Sequence, residues 1–166
     1  MITFQNLVVN CLKEVEEVFP WDLADMLEEE SDLLLLDIRE PYEFDAVHIQ
    51  GSLNVPRGIL ETACEYGYEE TVPELANARD REIIVICRSG NRSALAAHVM
   101  QLMGYQDVKS LKTGIRGWND FEQSLQDKNG KIVDIDMADE ILAPRLRPEQ
   151  MAPLMRPHQQ PKYYAA

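Results

Sequence analysis

The residues best able to do chemistry stand together: Cys87 is followed by Arg88, Ser89, Gly90, Asn91, Arg92 and Ser93, and preceded by the apolar run Ile83-Ile84-Val85-Ile86. That order reads as a buried strand, a thiol at its carboxyl end, a short polar loop and the start of a helix. In an open parallel α/β sheet, ligands bind outside the carboxyl ends of the strands. The N–H groups of the loop and of the helix N-terminus then converge on an anion, and Arg88 and Arg92 add fixed positive charge. Such surroundings favour thiolate over thiol, so Cys87 reads as a nucleophile. A cysteine that merely ended a buried strand would need neither the two arginines nor the glycine found within five residues of it.

Other chemistry-bearing residues read differently. Asp37 and Arg39 close the next apolar run and are expected to ion-pair at the carboxyl edge of the sheet, supporting the loops there. Arg57 follows a predicted strand at 52–55 and is a candidate third cation of the pocket. His48 reads as a packing and hydrogen-bonding residue, because a preformed thiolate needs no general base. His98 and His158 have no partner suggesting catalysis, and Trp118 reads as a core anchor. Cys64 reads as inert, the alternative being a resolving thiol or sulfur acceptor. Asp134, Asp136 and Asp139 lack the spacing and central glycine of a calcium loop and read as a solvated acidic stretch. Three cysteines without a CxxC or a Cys/His cluster give neither a disulfide scaffold nor a metal site, and no cofactor is expected.

The elements that must position these residues follow from hydrophobic patterning. Continuous apolar runs or short β-rich segments at 33–37, 52–55, 83–87 and 107–111 read as strands. Helices are expected between them at 41–47, 58–63, 73–78, 92–103 and 117–125. The helix after Cys87 is expected to bury Leu95, Val99, Leu102 and Met103 and to stop at Gly104. A first helix is marked by Phe4, Leu7, Val8, Cys11, Leu12 and Val15 at helical spacing, which makes Cys11 a buried small hydrophobe. A second begins at Pro20, with Leu23, Met26 and Leu27 inward, and stops near Ser31. Alternating strands and helices imply an α/β fold with a mainly parallel central sheet flanked by helices on both faces. The expected organisation is an N-terminal helix at 1–14, the α/β domain at 15–126, an extension at 127–142 and a Pro-rich basic tail at 143–166. That tail holds five of the nine prolines and reads as an arm lying on its own domain or on a second copy in a homodimer, the alternative being a mobile tail.

The chain has 166 residues and a net charge of −13, of which residues 1–45 carry −11 and residues 143–166 carry +3. So acidic a chain argues against a nucleic-acid partner, since duplex affinity comes from Lys and Arg on phosphates. No apolar run approaches the ~20 residues that span a bilayer, so no membrane partner and a cytoplasmic location are expected.

Three segments in order resemble the rhodanese (thiosulfate sulfurtransferase) family, over about 15–126. They are Leu36-Asp37-Ile38-Arg39-Glu40 with Glu43 and then His48-Ile49-Gln50-Gly51-Ser52-Leu53-Asn54-Val55-Pro56; the loop Cys87 to Ser93; and Thr113-Gly114-Ile115-Arg116-Gly117-Trp118. Thr113 stands where the family has the first glycine of a pair, and Ala46-Val47 precedes His48 where a glycine is typical. The resemblance implies a rhodanese-like domain whose Cys87 thiolate takes the outer sulfur of thiosulfate or another anionic donor and passes it to cyanide, a thiol or a sulfur-acceptor protein. It implies that N–H groups of residues 88–92 hold the persulfide and that Arg88 and Arg92 attract the donor. Cysteine phosphatases of the related fold have five residues between cysteine and arginine, against four here, and the smaller loop suits a sulfur atom. A non-enzymatic protein-binding or sulfur-relay module is the alternative from another class.

Overall fold

The computed structural model describes residues 1–29 and 32–153. Five parallel strands, β1 (Glu17–Val18), β2 (Leu33–Asp37), β3 (Leu53–Asn54), β4 (Glu82–Ile86) and β5 (Asp107–Leu111), form one sheet in the order β1-β5-β4-β2-β3. Asp37 lies opposite Ile86 and Val85 opposite Ser110, so the carboxyl ends of the three central strands reach the same edge. There the Ile38 N–H donates to the Ile86 carbonyl at 2.9 Å, continuing the pairing one residue past β2.

Side-chain alternation along the strands divides the apolar residues between two cores. Leu34, Leu36, Ile83, Val85 and Cys87 face one, which is completed by α4 (Leu60–Ala63), α5 (Pro73–Ala76) and α6 (Asn91–Leu102). Leu35, Ile84, Ile86 and Leu111 face the other. It is covered by α2 (Pro20–Glu28), α7 (Gly114–Asp120) and α8 (Ile135–Leu142), with Val47 from the end of α3 (Pro41–Ala46). Helices therefore flank a parallel sheet on both faces, and two antiparallel strands, β6 (Leu125–Gln126) and β7 (Ile132–Val133), stand apart from it.

Several expected helices are corrected. In α1 (Phe4–Cys11) only Val8 is buried; Phe4 and Leu7 stay about half exposed, Cys11 is only partly covered, and Val15 is buried beyond the helix end. Leu27 likewise remains exposed on α2. On α6 the buried residues are Ser93, Ala94, Ala96, Ala97 and Met100, whereas Leu102 is 75% exposed and Leu95 and Val99 are only partly covered. The cause lies in the loop: Ser93 must face Cys87, which puts residues three, four and seven further on against the sheet. Small alanines there let the helix backbone approach closely. The region expected to be helical at 117–125 starts earlier, at Gly114, and ends at Asp120.

Asp134, expected in a solvated stretch, caps α8 by accepting from the N–H groups of Asp136 and Met137, and Asp139 accepts from Asn119 Nδ2 at 2.6 Å. Among the described residues no group of side chains suits a metal ion, and no helix is long and apolar enough to cross a membrane. The expected arm begins within the described chain, with a 3-10 turn at Pro148–Gln150, but residues 154–166, and His158 with them, lie outside the described residues.

Candidate active site

Cys87 follows the last residue of β4 and is 1% exposed. Gly90, at φ +86°, turns the chain into the left-handed region that glycine adopts without strain, and α6 starts immediately after it. That turn aims the Gly90 N–H at Cys87 Sγ over 3.2 Å, and the Ser93 N–H approaches the same atom at 3.3 Å. Ser93 Oγ lies 3.3 Å from Sγ and 2.8 Å from the hydroxyl of Ser110 on β5, which itself donates to the Gly90 carbonyl at 3.4 Å. Two backbone donors and a hydroxyl thus converge on one sulfur, an arrangement that stabilises negative charge there. Of the loop N–H groups, those of Gly90 and Ser93 are the ones bonded to Sγ.

The far side of the loop is held by the start of α7. The Ile115 N–H donates to the Cys87 carbonyl at 2.9 Å and the Arg116 N–H to the Arg88 carbonyl at 3.2 Å. Gly114 sits so close beneath that a methyl group on it would overlap the Cys87 carbonyl oxygen. Thr113 adopts the left-handed backbone that favours glycine, with φ +63°, and its hydroxyl donates to the Lys112 carbonyl at 2.5 Å. Its side chain occupies the space a methyl on Gly117 would need.

The expected cations separate into distinct roles. Arg39 and Asp37 are both 1% exposed and joined by three guanidinium contacts, the shortest 2.6 Å; Arg39 also donates to the carbonyls of Val47 and Glu43. They tie the segment after β2 to α3. Arg92 makes a two-pronged ion pair with Glu43 of α3, at 3.1 and 3.2 Å. Burial alone would raise the Glu43 pKa, but the bonds and charge of Arg92, helped by the Glu40 N–H and by Arg39, outweigh it and hold the carboxyl below its ordinary value. Arg57 turns to Glu61 at 2.7 Å and lines neither cleft beside the loop, so the structure does not bring it to the pocket. Arg88 lines both clefts and makes no ion pair among the described residues.

His48 stacks on Phe44 with ring centroids 3.9 Å apart; its Nδ1 is 2.8 Å from the Phe44 carbonyl and its Nε2 3.1 Å from the Gln126 amide. Both ring nitrogens are engaged away from Cys87. Cys64 is fully buried, and burial pushes its thiol pKa up despite the Tyr105 hydroxyl and Arg79 nearby. A buried thiol kept protonated cannot serve as a resolving nucleophile in this conformation. Trp118 is buried and donates to the Ser124 carbonyl at 3.1 Å.

Two adjoining clefts open beside the loop and share Tyr42, Glu43 and Arg88. One extends over Ser89, Asn91 and Arg92 to Phe4 of α1, and the other runs to Ile141 of α8. Three contributors carried no role in the sequence reading: Glu43 as partner of Arg92, Ser110, and Phe4. Glu43 stands in the motif that follows Arg39 but carried no role at the loop, and Ser110, buried on β5, left no local signal.

This geometry has relatives. MoeZ of Mycobacterium tuberculosis, named as a probable adenylyltransferase/sulfurtransferase, is 32% identical over 101 residues, 61% of this chain but 24% of its own length. The chain thus corresponds to about a quarter of that relative. A sulfurtransferase of Allochromatium vinosum is 31% identical over 104 residues, covering 63% of this chain and 88% of its own. Among solved structures, a Rhodopseudomonas palustris protein of unknown function, for which tyrosine phosphatase activity has been suggested, superposes with a TM-score of 0.68 at 27% identity, over 75% of this chain and 94% of its own. The profile of the Rhodanese-like domain matches residues 20–121, from the start of α2 to the end of α7, and the chain belongs to that family.

Proposed function

We propose that this chain is a sulfurtransferase that carries sulfane sulfur on Cys87, taking it from thiosulfate or another sulfane donor and giving it to cyanide or a thiol. The observation that carries the reading is the convergence of the Gly90 N–H, the Ser93 N–H and the Ser93 hydroxyl on Cys87 Sγ. In the first half-reaction the thiolate attacks the outer sulfur of thiosulfate; a new S–S bond forms, the old one breaks, and its electron pair leaves on sulfite. In the second, the acceptor attacks the terminal sulfur of the persulfide and the pair returns to Cys87 as thiolate. No oxidant is consumed, no cofactor is called for, and the two displacements imply ping-pong kinetics. Arg88 would draw in the anionic donor and balance charge on departing sulfite. A cytoplasmic setting, where thiols stay reduced, suits a reaction that needs Cys87 free.

The suggestion made for the Rhodopseudomonas protein favours a phosphatase reading, but four residues separate Cys87 from Arg92, and Arg92 is engaged by Glu43 rather than free to cradle a phosphate. The test is to incubate reduced protein with thiosulfate and follow Cys87 by intact and peptide mass spectrometry, then add cyanide and assay thiocyanate. One added sulfur on Cys87, absent from Cys87→Ser and lost to cyanide, is the expected result. Turnover of p-nitrophenyl phosphate without sulfur uptake would replace the proposal with the phosphatase.

A further inference from the structure

Phe4 lies outside the family-matched residues 20–121, yet it lines the cleft that holds Arg88, Ser89, Asn91 and Arg92 of the Cys87 loop. Its place is fixed. The reciprocal bonds of Thr3 and Asn6 start α1 one residue before it, buried Val8 anchors the helix a turn later, and α1 packs against α6, the helix that begins at the loop. Tyr42 of α3 lines the same cleft. Phe4 is 49% exposed and Tyr42 75%, so two rings with open faces border a site for an anion.

The charges in this cleft are unequally committed. Arg92 is bound to Glu43, whereas Arg88 has no ion pair among the described residues. A ligand in this cleft meets, among the described residues, one cation without an ion pair and two exposed aromatic rings. Thiosulfate, which is all oxygen and sulfur, gains from the cation and nothing from the rings.

We propose that the cleft is built for an organic sulfane donor, a small anion whose transferable sulfur is attached to a group bearing an apolar carbon portion, and that Phe4 is its specificity-determining residue. The anionic end lies at Arg88 and the carbon portion against Phe4 and Tyr42. This deepens the sulfur-transfer reading and rests on it for the reacting atom, Cys87 Sγ. With an aryl thiosulfonate as donor, the thiolate attacks the outer sulfur, the bond between that sulfur and the sulfonyl sulfur breaks, and an aryl sulfinate leaves with the electron pair. Cys87 keeps the sulfur as persulfide, and the charge is conserved.

The test separates binding from transfer. Cys87→Ser protein is titrated calorimetrically with benzenethiosulfonate and with thiosulfate, alone and combined with Phe4→Ala or Tyr42→Ala. The expected result is that benzenethiosulfonate binds about five-fold or more tightly than thiosulfate, and that each alanine weakens it about five-fold relative to thiosulfate, the effect of uncovering part of one ring. Equal affinity for the two donors, or loss of both to the same extent in the alanine variants, would overturn the proposal. Failure of the sulfur-transfer reading shows separately, as wild-type protein that binds benzenethiosulfonate and gains no sulfur on Cys87 by mass.

Discussion

The Ser93 hydroxyl is the side-chain contact of Cys87 Sγ that can be removed without disturbing the backbone, and once the sulfur is a thiolate the hydroxyl is the donor between them. Ser93→Ala should slow persulfide formation by about ten-fold in single-turnover mass measurements, the scale of one lost hydrogen bond to a charged atom. The N–H groups of Gly90 and Ser93 remain to hold the sulfur, so activity should fall without vanishing. Loss to background would assign Ser93 a larger part, as the source of a proton. Glu43 invites a different experiment. Its pKa is held below the ordinary value chiefly by Arg92, against the opposing effect of burial, so the carboxylate contributes stability that is fully present above the unfolded-state pKa. That contribution disappears as pH falls through the depressed folded value. Wild type should therefore exceed Glu43→Gln in denaturant midpoint at about pH 7, and the two should converge as the pH is lowered through the depressed folded value. A gap that persisted in acid would mean that the amide disturbs packing instead of charge.

At the scale of elements, the turn into α7 holds the loop in place and carries a conflict of its own. A β-branched residue at φ +63° is strained by roughly 1–2 kcal/mol, and the Thr113 side chain fits only because residue 117 has no Cβ. Thr113→Gly should be stabilising by about 0.5–1 kcal/mol after the entropy of glycine is allowed for, and Gly117→Ala destabilising by about 2 kcal/mol or more. Chemical denaturation of both variants and the double variant should show strong coupling, because glycine at 113 frees the space that alanine at 117 needs. Independent effects would place the strain elsewhere. The same element scale explains what could be read from residues alone. β2, β4 and β5 were legible because each is a five-residue segment whose pattern is local. β1 left no pattern in its two residues; it becomes a strand because the Ser110 N–H donates to the Glu16 carbonyl and the Lys112 N–H to the Val18 carbonyl. The large apolar residues of α6 point to the wrong inward face, because the contact of Ser93 with Cys87 sets the rotation. α8 is hidden in the sequence because its cap, Asp134, stands within an acidic run, and exposed Ile135, Met137 and Ile141 outnumber the buried pair Ala138 and Leu142. In the site, the contiguous loop was legible, whereas the pairing of Arg92 with Glu43 spans 49 residues and that of Ser93 with Ser110 spans 17, distances that topology alone closes.

Over the whole molecule, the proposed function requires a chain of net charge −13 to receive an anionic donor at a cleft where, among the described residues, Arg88 has no ion pair. The two effects act over different ranges. Repulsion from the summed charge extends tens of ångströms when ionic strength is low, with a screening length of about 30 Å at 0.01 M and about 8 Å at 0.15 M. Attraction to Arg88 operates at contact, where ions in solution screen it far less. Raising the salt should therefore remove the long-range barrier while retaining much of the local gain. The expected outcome is that kcat/KM for thiosulfate rises several-fold from about 0.01 to about 0.15 M monovalent salt, through faster encounter. Donor and salt should be varied together with cyanide saturating, so that only the first half-reaction is read. Arg88→Gln should leave the repulsion without the compensating cation, giving a lower kcat/KM at every salt concentration and a steeper relative rise. A kcat/KM that falls with salt in the wild type would mean that the field of the loop arginines reaches beyond the cleft and outweighs the acidic surface, and the donor would then be steered in by the protein rather than admitted against its charge.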